Sequence, residues 1–160
     1  MDTRVPTGRG GTKNCQTTGT STDAGYPEHT VNWDVSALVK QSLEQRGATV
    51  VLSRPDEVSI GTCVDARAIA ANNSGADLVV GIHADGAAAH ERGFHICYSA
   101  PALNPVQAGP SVALAERPSI LIELGNLRHA DDAARMSSLD GRRDYAMAIS
   151  VGIETFLPAD

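Results

Sequence analysis

The sequence predicts an α/β fold, a three-layer sandwich in which helices flank a mostly parallel, twisted sheet. Three observations carry that expectation. The run Asp77-Leu78-Val79-Val80-Gly81-Ile82-His83-Ala84-Asp85 is short, apolar and bounded by Ser74-Gly75 and Asp85-Gly86, as a strand buried on both faces of a parallel sheet is. Pro118-Ser119-Ile120-Leu121-Ile122-Glu123-Leu124 repeats the design. The segments leading into the first run read helix, strand, helix, strand, an order that implies right-handed crossovers and parallel pairing. In open α/β sheets ligands collect outside the carboxyl ends of the strands. His83 and Glu123, which stand near those ends, are therefore the first candidate site residues.

Taken in order, residues 1–26 read as loop. Gly8-Arg9-Gly10-Gly11-Thr12 has no preceding strand and no Lys-Ser/Thr ending, so it is not a phosphate-binding loop. From Thr30 to Arg46, Val31, Val35, Leu38, Val39 and Leu43 fall on one helical face. Thr30 is the expected N-cap and Gly47 the expected C′ residue. Glu28 and His29 then sit just ahead of a helix, where a carboxylate suits the helix dipole without any other duty. Ala48–Ser53 reads as a strand closed by Arg54-Pro55, and roughly Cys63–Asn73 as a helix turning Val64, Ala68 and Ile69 inward. After a polar loop comes a strand, Gly93–Tyr98. Ser99–Arg117 contains Pro101, Pro105 and Pro110 and is irregular. The helix that opens at Ser111 is cut short because Pro118 forces Arg117 out of helical geometry. Ala130–Ser137 reads as a short helix, and Asp140–Leu157 as a longer one packing Ala146, Ile149, Ile153 and Phe156.

Composition bounds the function. The 160 residues, 42% hydrophobic and 4% aromatic, suit a single domain spanning residues 1–160. A net charge of -6 without a basic cluster argues against nucleic-acid binding. Nothing approaches the roughly 20 apolar residues of a spanning helix, and Met1–Gly11 has no signal-peptide core, so no membrane insertion is expected. Three cysteines without a Cys-x-x-Cys pair make a structural zinc knuckle a poor reading. Cys15 and Cys63 both lie in loop contexts, where a bridge and free thiols are both open; a bridge would place the chain in an oxidising compartment. Cys97, on the Phe94–Tyr98 stretch, reads as a small buried thiol.

A set of landmarks in fixed order then becomes informative. Glu28-His29-Thr30-Val31-Asn32, the helix ending in Gly47-Ala48, Leu52-Ser53-Arg54, Arg67-x-x-Ala70-x-x-Asn73, Gly81-Ile82-His83-Ala84-Asp85 and Ile122-Glu123-Leu124-Gly125-Asn126 together resemble the zinc-dependent N-acetylmuramoyl-L-alanine amidases. The likeness runs from about Glu28 to Leu157 and is greatest to the single-domain mycobacterial members, whose cysteine loop is similar to Gly10–Thr22. No single motif is strong; the ordered set is.

The resemblance implies Zn2+ held by a His after the first strand, a Glu before the first helix and a second His. The Glu matches Glu28 and the second His matches His83, while the family's catalytic Glu matches Glu123. Two imidazoles and a carboxylate leave a zinc position open for water, whose pKa falls toward roughly 7. Glu123 would act as general base and pass the proton to the departing amine. The implied substrate is peptidoglycan or a muramoyl-peptide fragment, cut between N-acetylmuramic acid and L-alanine of the stem peptide. The resemblance also implies a monomer that is periplasmic or secreted and associated with the cell wall.

Two departures stand out. The family's first strand, with its Gly-His ligand, should precede residue 1, and a helical region should separate the Tyr98 and Glu123 strands. Both are missing, either deleted or omitted from the sequence, so only two of three ligands are supplied. For His29, His90, His95 and His129 a surface or core role is the better reading than metal ligation. His129, in the loop beyond Glu123, is the first to examine. Arg54 and Arg67 suit an ion-pair or helix-surface role as well as a substrate role. The rival reading is a non-catalytic cell-wall-binding or regulatory module of the same fold. The missing ligand favours it; the retained Glu28, His83 and Glu123 favour the enzyme.

Overall fold

The computed structural model describes residues 3–8, 10–98 and 116–157. The elements run β1 (Arg4–Pro6), β2 (Thr12–Asn14), α1 (Glu28–Glu44), α2 (Val64–Asn73), β3 (Val79–Asp85), β4 (His95–Cys97), β5 (Ser119–Asn126), α3 (Ala130–Ser137) and α4 (Leu139–Phe156). The chain forms two compact units. One comprises Met1–Thr18, Ser59–Gly81 and Ile96–Ile122, the other Gly19–Val58, Ile82–His95 and Glu123–Asp160.

The second unit holds most of the buried apolar side chains. Val31, Val35, Val39 and Leu43 recur at four-residue spacing along α1 and are all buried. That stripe packs α1 against α4, whose Ala146 and Ile149 are buried in turn. Burying an aliphatic side chain of this size is worth about 1.5–3 kcal/mol. A polar clasp joins the same two helices: Arg142 Nε lies 3.2 Å from Asp34 Oδ2, and the Tyr26 hydroxyl donates to that oxygen at 3.1 Å. Gly47, with φ +93, ends α1 as expected. Its N–H reaches Glu44 O at 3.1 Å and Ala48 N–H reaches Leu43 O at 3.1 Å, the paired bonds of a Schellman motif.

The sheet order is β3-β5-β4. Val79 N–H donates to Pro118 O at 2.9 Å where β3 begins, and Leu127 N–H donates to Asp85 O at 2.9 Å where it ends. Both strands therefore run the same way, and the α/β sandwich expected from the sequence is the observed class. The two apolar runs are β3 and β5. Of β3, however, only Ala84 is fully buried.

Among the described residues of the first unit Val5 and Ile122 are the buried apolar ones, and no side chain of α2 is fully buried. A Cys15–Cys63 disulfide, with Cα atoms 4.5 Å apart, staples it instead. Around the bridge Val64 N–H donates to Cys15 O at 3.1 Å, and the Gln16 amide donates to Gly61 O and Thr62 O.

Several expectations need correction. Residues 1–26 are not all loop: β1 and β2 pair antiparallel, Arg4 opposite Asn14. Ala48–Ser53 forms no strand, and Val51 is 81% exposed. Strand propensity is realised only against a partner ladder and a buried face. Here one carbonyl, Val50 O, accepts from Lys40 Nζ at 2.8 Å instead. Ile69 and Phe156 point outward, and Cys97 is exposed because every residue of β4 is. The stretch Ser99–Ala115, where an irregular segment and a short helix from Ser111 were expected, lies outside the described residues.

If the bridge stands in for a core, Cys15→Ser with Cys63→Ser should cost roughly 2–4 kcal/mol, as loss of a loop-closing disulfide does. Urea unfolding followed by circular dichroism would read this as a lowered midpoint. An unchanged midpoint would show that the loop holds itself together.

Candidate active site

Glu28 is placed by the start of α1. Pro27, at φ -85 and ψ 150, is the N-cap, so Glu28 opens the helix rather than preceding it. Thr30, expected to be the cap, sits inside the first turn and donates its hydroxyl to Glu57 Oε1 at 2.6 Å. Pro fits the first positions of a helix because its missing N–H would have no intrahelical partner. The Glu28 carboxylate is largely buried, and two backbone N–H groups, an amide and a ring nitrogen surround it. Thr20 N–H reaches Oε2 at 3.2 Å; Asn32 Nδ2 reaches Oε1 at 3.1 Å.

His83 comes from β3, two residues before its end. Its Nδ1 lies 3.1 Å from Glu28 Oε1. With the carboxylate ionised, a ring bearing a proton on Nδ1 makes this a hydrogen bond. The pair also suits a small cation. Bonds of about 2.0–2.1 Å to a tetrahedral zinc place two ligand atoms roughly 3.3 Å apart, close to the separation observed. One imidazole nitrogen and one carboxylate oxygen are zinc-type donors, so this part of the site fits the metal. Among the described residues no group of three His, Cys, Asp or Glu side chains converges to complete the set.

Glu123 lies on β5, near enough for the charges of His83, Glu28, Asp85 and His95 to act on it. Its Oε2 is buried and makes no hydrogen bond. The two carboxylates consequently differ. Burial pushes the Glu28 pKa up, but hydrogen bonds from His83 and Asn32, the His83 charge and the Thr20 N–H outweigh it, and the net displacement is downward from 4.5. For Glu123, burial is again the largest cause; His83 and His95 oppose it, Glu28 and Asp85 reinforce it, and the pKa rises above 4.5.

The strand ends are braced by residues that sequence reasoning missed. Asp132 Oδ2 accepts from Gly93 N–H at 2.8 Å and Asn126 N–H at 3.1 Å. Asn126 Nδ2 in turn donates to Ala88 O at 2.8 Å and Glu91 O at 2.7 Å. A Cβ at Gly125 would sit 3.2 Å from Asp132 Oδ2, tighter than ordinary contact. Asn32 and Gly125 lay within the motifs but had no assigned role. The Glu-x-x-x-Asn spacing, which puts both side chains on one helical face, was the available signal for Asn32.

The remaining candidates have other partners. His29 is exposed, 3.5 Å from Glu57, and His90 is exposed in a turn. His129 caps α3, its Nδ1 accepting from Asp131 N–H at 3.2 Å. His95, exposed on β4, is the remaining histidine that acts on Glu123 electrostatically. Arg54 donates to Glu57 O and His29 O and lies over the Trp33 ring, 5.2 Å from its centroid.

An imidazole and two carboxylates of opposite pKa displacement, gathered at the carboxyl ends of parallel strands, are groups of the kind that a hydrolase uses. A profile of the N-acetylmuramoyl-L-alanine amidase family matches residues 5–108, a span that includes Glu28 and His83. The N-acetylmuramoyl-L-alanine amidase Rv3717 of Mycobacterium tuberculosis is 42% identical over 189 residues, covering 96% of this chain and 78% of that protein. The crystal structure of the amidase Ami1 from Mycobacterium smegmatis superposes with a TM-score of 0.95 at 40% identity, over 99% of this chain and 89% of that one. The apo form of Ami1 from Mycobacterium abscessus gives 0.94 at 40% identity, over 98% and 90%. The chain belongs to the N-acetylmuramoyl-L-alanine amidase family. Among the described residues no helix is long and apolar enough to cross a membrane.

The raised Glu123 pKa has a thermodynamic sign. Below 4.5 both states hold the proton, so the group is neutral to stability; between 4.5 and the raised folded pKa the unfolded state alone ionises, so stability falls across that window and stays lower above it. In metal-free buffer Glu123→Gln should therefore unfold at higher denaturant than the native protein at pH 7, with the gap closing toward pH 4. A gap that widens on acidification would reverse the assignment. Glu28 behaves oppositely: its contribution is present above 4.5 and fades as pH falls through its lowered pKa.

Proposed function

We propose that this chain hydrolyses the amide joining N-acetylmuramic acid to L-alanine of the peptidoglycan stem peptide, with Zn2+ held by Glu28 and His83 and with Glu123 as general base. The observation that carries the reading is the approach of Glu28 Oε1 to His83 Nδ1, 3.1 Å, beside a carboxylate whose proton is held more tightly than usual. Relatives that are themselves named N-acetylmuramoyl-L-alanine amidases support it.

Zinc bound at this pair would supply Lewis acidity to an attacking water and to the amide carbonyl. The protein's own residues do the rest. Hydrogen bonds from His83, Asn32 and Thr20 favour the ionised Glu28 carboxylate. Glu123, with Oε2 free of hydrogen bonds and its pKa raised, takes the proton from water as the oxygen–carbon bond forms. It then gives that proton to the amine nitrogen as the carbon–nitrogen bond breaks. The products are the muramic carboxylate and a free L-alanine amino terminus.

Support for the accompanying readings is of the same kind. Residues 1–160 are read as one catalytic domain, with Glu28, His83 and Glu123 all in the second compact unit. The disulfide suits an oxidising, extracytoplasmic setting at the cell wall, and the protein works there as a monomer. One observation favours a second reading, a wall-binding module without catalytic metal: the absence, among the described residues, of a third metal-capable side chain at the pair.

The two readings separate on a muramoyl-peptide. Glu123→Gln should abolish release of the free amino terminus, at least about 100-fold by general-base loss, while the protein keeps its zinc. His83→Ala should lose zinc and activity together. Full zinc content in that variant would misplace the site, and a native protein that binds muramoyl-peptide without cleaving it would establish the module.

A further inference from the structure

We propose that Asn32 and the Gly19–Thr20 backbone are positioning groups for Glu28, a clamp that aims one carboxylate oxygen at His83; the inference rests on the reading of Glu28 as a metal ligand. The terminal torsion of a glutamate is soft and broad, so a carboxylate anchored only by its stem presents no fixed lone pair. Here both oxygens are tied. Oε2 accepts from Thr20 N–H at 3.2 Å. Oε1 accepts from Asn32 Nδ2 at 3.1 Å and faces His83 Nδ1 and, at 3.5 Å, Ala84 N–H.

The loop is built for this approach. Glu28 N–H donates to Thr20 O at 2.9 Å while Thr20 N–H donates to the Glu28 side chain, so the two residues exchange bonds. Gly19 has φ +73, and a Cβ there would lie 2.8 Å from Glu28 Oε2. On the other side of the loop a Cβ at Gly86 would lie 2.5 Å from Thr20 Oγ1 and 2.8 Å from its Cβ. A side chain at Gly19 would thus press on the Glu28 carboxylate, and one at Gly86 on the Thr20 side chain.

Asn32 carries its own signature. One helical turn on from Glu28, it shares that face of α1, where asparagine is a poor helix former. Its Oδ1 is buried without a hydrogen-bond partner. A leucine of nearly the same shape would avoid that orphaned acceptor. What leucine lacks is the one interaction the side chain makes, the Nδ2 donation to Glu28.

Zinc affinity, measured by competition with a chromophoric chelator, tests the clamp without recourse to catalysis. Asn32→Leu and Gly19→Ala should each weaken zinc about 10–100-fold, the usual effect of losing a group that orients a ligand. Cobalt substituted for zinc should show altered visible bands in both. Gly25→Ala is the control: its φ is also positive, +85, but a Cβ there meets nothing within 4 Å, so affinity should hold. Native affinity in Asn32→Leu, or an equal loss in Gly25→Ala, would overturn the proposal, and Asn32→Leu decides if Gly19→Ala does not fold. Glu28→Ala separates the two levels of argument. If that variant binds zinc like the native protein, or if the native protein binds none, the metal reading fails and the clamp with it. If Glu28→Ala alone loses zinc, the clamp fails by itself.

Discussion

The parallel alignment of β3 with β5 is the constraint on which the site depends. Two strands running in the same direction end at the same edge, and each carries its ionisable residue close to that end. The hydrogen bond from Leu127 N–H to Asp85 O sets the register there. A register slip of one residue would turn His83 and Glu123 to the opposite faces. Asp132 and Asn126 brace the loops that leave the strands, so the register is held from outside the sheet as well as within it.

Within that frame the chemistry comes from unequal treatment of two similar carboxylates. Desolvation acts on both Glu28 and Glu123 in the same sense. Glu28 overcomes it because backbone and side-chain donors surround it; Glu123 does not, because one oxygen is buried with nothing to accept from. Environment alone favours the anion at Glu28 and the protonated form at Glu123. The second has a structural cost. A buried oxygen without a partner is unfavourable by about 1–3 kcal/mol, and under the proposed mechanism it is the oxygen that receives the proton of water.

Much of this was legible in the sequence, and the limits have physical causes. α3 has the bounds expected from its pattern, and α4 is displaced by one residue at each end, because their apolar periodicity and the Ser138 cap are local signals. The polar residues Glu28, His83 and Glu123 could be singled out because each interrupts or adjoins an apolar element. Ala48–Ser53 was misread as a strand because its composition is right but its realisation depends on a neighbour that composition does not reveal. Cys97 and Ile69 were misread for the same reason: a hydrophobic pattern says which face is apolar, not whether anything covers it. The Glu-x-x-x-Asn spacing made Asn32 legible in principle but did not say that its amide meets the carboxylate, and Gly19 gave no signal because its partner Glu28 lies across a loop.

The two units solve the stability problem differently, and the difference bears on where a site can be built. The first, in which Val5 and Ile122 are the buried apolar side chains among the described residues, carries a covalent staple, which restrains the unfolded chain more than it orders side chains in the folded one. A site needs the opposite: groups held within a fraction of an ångström by packing and hydrogen bonds. The second unit supplies that through the valine stripe of α1, whose burial fixes the helix and so fixes Glu28 at its first turn and Asn32 one turn later. The apolar and polar faces of α1 are consequently one device, the first holding the helix in place and the second facing His83 at the end of β3.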